Sequence, residues 1–365
     1  MEIIVYTILG LYAVMHLIML AGLLNNKRRP PGGDYEPTVS IIICAKDEES
    51  CMDDCIRSLL QLNYPKEKLE IILVNDRSVD RTKEIMLSYL VANPQLIYLE
   101  AVESTGKLKG KANALEQALR TASNDIIFTT DADIEVNRNW VQEIIKYYDK
   151  ETGVVAGYSV IEPRGIFGGL QSVDWLYLLS VASGGDGVGI PISCVGNNMS
   201  YRRSAYDEAG GYANIKFSVT EDFMLLQKIH KETSYKKTKF PVNDDTKNIT
   251  LPCMTLKQLL RQKKRWAAGG IGELNFGMLV GAFSWLTGMV ILSGWLFLDI
   301  QTYLIFILSK LAIDSVFLFP AAKEFKMLKI YLYIVFFELY FALYVFITSI
   351  MLGIDRKVIW KDQKI

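Results

Sequence analysis

Carboxylates recur in this chain just behind short apolar runs. Asp47 follows Val39–Cys44, Asp76 follows Leu69–Val74, and Asp131 with Asp133 closes the run Asp125–Thr129. Two carboxylates bracketing one small residue can hold a hard cation on their oxygens, and such a cation can in turn hold a diphosphate. The same residues also suit simple turns and helix caps, so Asp76 to Asp80 and Asp131-Ala132-Asp133 each admit a structural reading. Lys111, in Gly110-Lys111-Ala112-Asn113, adds a cation at a helix start. Further on come Thr220-Glu221-Asp222 and Gln262-Lys263-Lys264-Arg265-Trp266. The first suits a helix start that Thr220 caps, with acids in its first turn; the second suits a Lys-Lys-Arg-Trp anchor beside a membrane span.

Those acids must be carried by elements that end near one another. Val39–Cys44 is a continuous β-branched run, the pattern of a strand buried on both faces. The chain then alternates: helix Ser50–Leu60, strand Leu69–Val74, helix Asp80–Val91, strand Leu96–Ala101, helix Gly110–Ala122 and strand Asp125–Thr129. Alternation of this kind predicts an α/β fold with a mostly parallel central sheet, whose ligands sit beyond the carboxyl ends of the strands. No Walker-type loop or dinucleotide fingerprint is present, so phosphates would be held by metal and basic side chains.

Charge is segregated along the chain. Residues 1–24 carry only Glu2, and residues 267–322 carry only Glu273, Asp299, Lys310 and Asp314. Ile3–Leu24 is long enough to cross a hydrocarbon core, and three more spans are expected near 277–298, 302–320 and 329–353. Lys27-Arg28-Arg29 follows the first span, which predicts an integral membrane protein with its N-terminus outside and the next domain in the cytoplasm. Alternating the spans leaves the tail, with Arg356, Lys357 and Lys361, outside against that charge rule, unless the last segment re-enters without crossing. Lys310 and Asp314 can neutralise each other at i,i+4, whereas Glu338 has no partner nearby in sequence. It would face neighbouring helices or line an acceptor or lipid cleft. Phe167–Ala182 reads as an amphipathic helix at the membrane surface or a helix packed on the sheet, and Gly184–Gly189 as a flexible gate.

The expected organisation is a first span at 1–24, a linker at 25–36, a cytoplasmic domain at 37–270, spans over 271–354 and a tail at 355–365. Among 365 residues half are hydrophobic, and 40 basic side chains balance 40 acidic ones. That composition excludes a disordered chain, a coiled coil and a polyanion-steered protein, so no nucleic-acid partner is expected. Five cysteines and two histidines make neither a disulfide framework nor a zinc site, and free thiols are expected.

Taken together and in order, these segments resemble the membrane-bound family 2 glycosyltransferases, the group of cellulose, hyaluronan and chitin synthases and ceramide glucosyltransferase. Resemblance runs from about Val39 to Trp266. It rests on Ala45-Lys46-Asp47-Glu48, Val74–Ser78, Gly110-Lys111-Ala112, Asp131-Ala132-Asp133, Gly196-Asn197-Asn198, Gly210-Gly211-Tyr212, Thr220-Glu221-Asp222 and the QxxRW box Gln262–Trp266. The last two, in this order before membrane helices, are the specific signal.

The resemblance implies a GT-A fold. Asp47 and Asp76 would contact the base and ribose of a UDP- or GDP-linked sugar, with Lys111 assisting at the phosphates. Asp133 would bind Mg²⁺ or Mn²⁺, with Asp131 beside it. Asp222 would be the general base, Arg265 would stabilise the leaving diphosphate, and Trp266 with Gln262 and Glu221 would line the acceptor site. Two departures stand out: Arg77 replaces a glycine common in the family, and Asp47 stands where many members have Asn. Inverting displacement needs a base on one side of the anomeric carbon and positive charge on the other, and this residue set supplies both. A hydrolase would want two carboxylates facing across a sugar with no nucleotide site. The implied function is transfer of a sugar to a lipid or lipid-linked acceptor among membrane lipids. Processive polysaccharide synthesis is the alternative, and a non-catalytic nucleotide-sugar-binding membrane protein a second one.

Overall fold

The computed structural model describes residues 1–28, 30, 35–104, 106–215, 218, 220–270, 276–355, 359–360 and 363–364. Residues 29 and 31–34 of the expected linker and most of the expected tail lie outside the described residues. The chain forms two compact units. One comprises Asn26–Val160 with Ser193–Leu251, and the other Met1–Asn25, Ile161–Ile192 and Pro252–Ile365. The expected soluble domain at 37–270 is therefore divided: the Ile161–Ile192 stretch and the QxxRW segment group with the apolar helices.

The first unit is built on a seven-stranded sheet. Its strands are β1 (Val39–Ala45), β2 (Leu69–Asn75), β3 (Leu96–Glu100), β4 (Ile126–Asp131), β5 (Thr152–Ala156), β6 (Met199–Arg202) and β7 (Lys237–Lys239). The spatial order is β3-β2-β1-β4-β6-β5-β7. β1, β2, β3 and β4 run parallel, β6 is antiparallel to both β4 and β5, and β7 returns parallel to β5. The β-branched β1 is central because a strand covered on both faces must be largely apolar, and Val39, Ile41, Ile42 and Ile43 are all fully buried. One face holds a core in which Trp140 meets Phe128 edge-on, with ring centroids 5.0 Å apart.

Register positions the chemistry. Ala45 stands opposite Asn75, and Cys44 opposite Asp131. The carboxyl ends of β1, β2 and β4 are thus level, so Asp47, Asp76 and the Asp131–Asp133 turn emerge at one edge. Asp131 is the last residue of β4 itself, two residues later than the sequence pattern placed the strand's end.

Among the described residues, the second unit contains four helices long and apolar enough to cross a membrane: Glu2–Asn26, Phe276–Leu296, Ile300–Glu324 and Ile334–Ile354. The helix Gly165–Gly187 accompanies them and corrects two expectations. It is buried along most of its length within this unit rather than amphipathic, and Gly184–Gly187 continue it rather than form a gate. Those glycines serve close packing. A Cβ on Gly184 would come within 2.5 Å of the Met19 carbonyl oxygen, and one on Gly187 would overlap the backbone of Gly22.

Inside this unit Lys310 donates to Asp314 at 2.8 Å and also to Glu338. Glu338 therefore has a partner, supplied from another helix at a separation that i,i+4 reasoning does not reach. Tyr12 donates to Asp314 at 2.6 Å, and His16 bonds the Tyr177 hydroxyl at 2.8 Å. A polar knot thus ties three of the apolar helices to Gly165–Gly187.

Candidate active site

Asp47, Asp76, Lys111, Asp131, Asp133, Glu221 and Asp222 all belong to the sheet unit; Gln262, Arg265 and Trp266 belong to the other. At the ends of β1 and β2 two loops are stitched together. The Asp47 amide donates to Ser78 Oγ at 3.0 Å, and Asp47 Oδ1 accepts from the Val79 amide at 2.8 Å. Asp80 accepts from the amides of Thr82 and Glu49, each at 3.0 Å, and so ties the first loop to the start of the next helix, whose N-cap position is Arg81.

Asp76 is different. Its side chain is 2% exposed; Oδ1 pairs with Arg77 Nε at 3.1 Å, and Oδ2 has no partner among the described residues. A buried carboxylate oxygen without a donor costs free energy unless a ligand supplies one. Arg77 departs from the family's glycine yet adopts the conformation glycine favours, with φ +58°. Asp47 does the same at φ +53°. Left-handed backbone at a non-glycine residue costs on the order of 1 kcal/mol, so both loops hold strain beside the candidate site.

Beyond β4, Lys111 pairs with the Asp131 carboxylate and lies 4.0 Å from Glu221 Oε1. Burial would pull its ammonium down, but Asp131 and Glu221 outweigh that and hold it above its ordinary range. Asp133 shows the opposite stress. Burial, then the charges of Asp131 and Glu48, push its carboxyl up to about 7. A carboxylate so destabilised is one that a cation would relieve. Among the described residues no three His, Cys, Asp or Glu side chains gather as a cage. A divalent ion held by Asp133 would need to complete its shell with phosphate oxygens and water, as Mg²⁺ and Mn²⁺ do on nucleotides.

Asp222 is held from two sides. Its Oδ2 accepts from the Gly196 amide at 2.6 Å, and its Oδ1 from the Phe223 amide at 2.8 Å. Thr220, at the N-cap position, shares a 3.0 Å bond with Ser218 through its hydroxyl, so the expected side-chain cap is not what it provides. Gly196-Asn197-Asn198, to which the sequence assigned no role, is the connector. Thr129 donates to the Gly196 carbonyl at 2.8 Å and Thr130 to that of Asn197 at 3.0 Å. Asn198 accepts from Trp140 Nε1 at 2.9 Å and donates to the Tyr158 carbonyl at 2.8 Å. The strand that ends in Asp131 thereby fixes the loop that fixes Asp222. Consecutive threonines and a Gly-Asn-Asn were visible in sequence, but nothing local says that they bond each other.

All five cysteines are free. Burial, with neighbouring carboxylates, pushes Cys51 up to about 12 and Cys55 higher, which keeps both as neutral thiols.

In the second unit the helix Leu256–Gly270 carries Gln262, Arg265 and Trp266. Trp266 lies against Trp175 with ring centroids 4.8 Å apart, Gln262 Oε1 is 3.7 Å from Cys253 Sγ, and Arg265 is half-buried.

Comparison with known proteins identifies the family. The chain matches Glycosyl transferase family 2 over residues 40–210 and Glycosyl transferase family group 2 over 126–351. It is 28% identical over 243 residues to a beta-monoglucosyldiacylglycerol synthase of Trichormus variabilis, covering 64% of this chain and 49% of that one. It is 26% identical over 249 residues to a poly-beta-1,6-N-acetyl-D-glucosamine synthase of Staphylococcus aureus, covering 67% and 57%. The chain thus spans about half the length of the curated relatives it matches. A mannosyltransferase from Pyrobaculum calidifontis, solved with GDP-Man and Mn²⁺, shares the fold with a TM-score of 0.63 at 18% identity, over 96% of this chain and 97% of that one. With a family match across more than half its length, on a GT-A-like sheet whose strand ends carry the expected acids, the chain belongs to the family 2 glycosyltransferases.

Proposed function

We propose that this protein transfers a sugar, with inversion, from a UDP- or GDP-linked donor to a lipid or lipid-linked acceptor. The observation that carries the reading is Asp222, whose two oxygens each accept a backbone amide. A carboxylate fixed in this way is oriented to take the proton of an acceptor hydroxyl as that oxygen attacks the anomeric carbon. Lys111 supports a donor role on the diphosphate side, because its ammonium is kept charged beside Asp131. Asp76 Oδ2, buried and without a donor among the described residues, suits a base or ribose group of the nucleotide, and Asp47 belongs to the same pair of loops. Asp133, with Asp131, would hold Mg²⁺ or Mn²⁺, which when bound supplies positive charge to the departing diphosphate. Arg265 is the proposed leaving-group cation from the chain itself, and Trp266, Gln262 and Glu221 are proposed for the acceptor.

The candidate spans among the described residues support a lipid acceptor reached from the bilayer, with the sheet unit on the cytoplasmic side and the N-terminus outside. The similarity to a poly-beta-1,6-N-acetyl-D-glucosamine synthase keeps polymer synthesis as the second reading. Purified protein in lipid, given Mn²⁺ and labelled nucleotide sugars, separates them. Label in the organic phase that depends on Asp222 supports a glycolipid product, label in a high-mass precipitate supports a polymer, and a wild type that consumes no donor sinks both.

A further inference from the structure

Three basic residues stand together in Lys263-Lys264-Arg265, and the structure gives them different surroundings. Lys264 reaches toward Asp355 at 4.0 Å, with half-exposed company. Lys263 is not an interfacial anchor at all: its side chain is 5% exposed and paired with Asp174, itself 2% exposed, on the Gly165–Gly187 helix. The Lys263 ammonium lies 4.5 Å from the ring centroid of Trp266 and 4.9 Å from that of Tyr344. Asp174 accepts from the Tyr344 hydroxyl at 2.8 Å and meets that of Tyr340 at 3.5 Å.

The grip is wider than one ion pair. One turn before Asp174, Gln171 donates to the Cys253 carbonyl at 3.0 Å and accepts from the Cys253 amide at 2.7 Å. One residue after it, Trp175 packs on Trp266. Gln171, Asp174 and Trp175 are spaced i, i+3, i+4, so a single helix face holds the approach to the Leu256–Gly270 helix and one side of that helix. On the held helix Lys263 and Trp266 share that side. Arg265, two residues from Lys263, is turned about 200° from it at about 100° per residue.

Burying a charge pair is expensive, and an apolar pair of similar volume is often as stable or more so. Stability alone thus gives little reason to place a lysine and an aspartate here; a fixed helix rotation does. We propose that Lys263, clamped by Asp174, is a positioning residue that sets the rotation of the Leu256–Gly270 helix and thereby where Arg265 and Trp266 stand. The inference rests on the transferase reading above, in which those two residues serve the reaction.

The test uses the full chain in lipid nanodiscs with Mn²⁺ and a panel of UDP- and GDP-sugars, and scores release of nucleoside diphosphate alongside thermal stability. The informative variant is Asp174→Asn/Lys263→Met. It removes both charges together, so neither is left buried alone, and it keeps an acceptor for the tyrosine hydroxyls. The expected result is a midpoint close to the wild type, kcat down by roughly ten-fold or more, and a donor KM changed much less, as misplacement of a catalytic group predicts. Unchanged kcat in the double variant overturns the inference while leaving the transferase reading intact. A midpoint that collapses together with activity assigns the pair to folding and overturns it as well. A wild type that releases no nucleoside diphosphate from any donor removes the transferase reading and the inference with it.

Discussion

The Gly196 amide donates to Asp222 Oδ2 at 2.6 Å, and a Cβ on Gly196 would lie 3.2 Å from that oxygen, so the carboxylate would have to give by a few tenths of an ångström. The proposed base is thus held by a backbone group with little room beside it for a larger residue. Gly196→Ala should displace the carboxylate while leaving the sheet intact. The expected loss in kcat is about ten-fold, against about 10²- to 10⁴-fold for Asp222→Asn, with donor affinity kept in both. Steady-state kinetics with nucleotide-sugar titration checks this, and an unaltered Gly196→Ala enzyme would refute the coupling.

Asp133 gives a pH signature. Its folded-state carboxyl, near 7, lies above the unfolded value of about 3.8, so the folded protein binds the extra proton. Without metal, this group's penalty is full above about pH 7 and shrinks as pH falls toward 4. Asp133→Asn removes the penalty, so it should raise the melting midpoint of the metal-free protein more at about pH 8 than at about pH 5. Mn²⁺ should narrow that difference. Thermal scans at both pH values, with and without Mn²⁺, decide it; equal effects at both would show that Asp133 is not the titrating group.

Close packing in the apolar unit predicts a steric effect. Gly184→Ala puts a methyl group against the Met19 backbone, which cannot yield as a flexible side chain would. Overpacking of this kind costs typically about 1–3 kcal/mol. A lowered midpoint in detergent is expected for Gly184→Ala, whereas Gly281→Ala, with open space around its added carbon, should be neutral.

Lys310 and Glu338 should respond unequally to substitution. Lys310→Met leaves Asp314 and Glu338 buried without their shared cation and should cost about 3–5 kcal/mol, as breaking a buried pair does. Glu338→Gln leaves the Lys310–Asp314 pair intact and should cost less. Denaturation in mixed detergent compares them, and a Glu338→Gln loss as large as that of Lys310→Met would contradict this assignment.

Much of the sheet was legible because its signal is local. β-branched runs broken at regular intervals by helical segments dictate β1 to β4 within a residue or two, and acids at strand ends mark the binding edge. Long apolar segments with few charges announced the four candidate spans for the same reason. Gly184–Gly187 misled because a glycine cluster reads as a loop, although close helix crossing demands small residues too. Lys263 misled because its cationic neighbours suggest water, and only a distant aspartate makes its burial tolerable.

The sequence by itself determined the family, the α/β alternation and which residue types could do the chemistry, since each of these is written in local pattern and spacing. Tertiary structure alone decided which of those residues are held, and by what. It joins Thr129 and Thr130 to the Gly196–Asn198 loop and that loop to Asp222, gives Lys310 to Glu338, and buries Lys263 against Asp174. Each of these contacts links residues far apart in the chain. Their existence depends on strand register and helix rotation, which arise from packing the whole unit rather than from the preference of any segment.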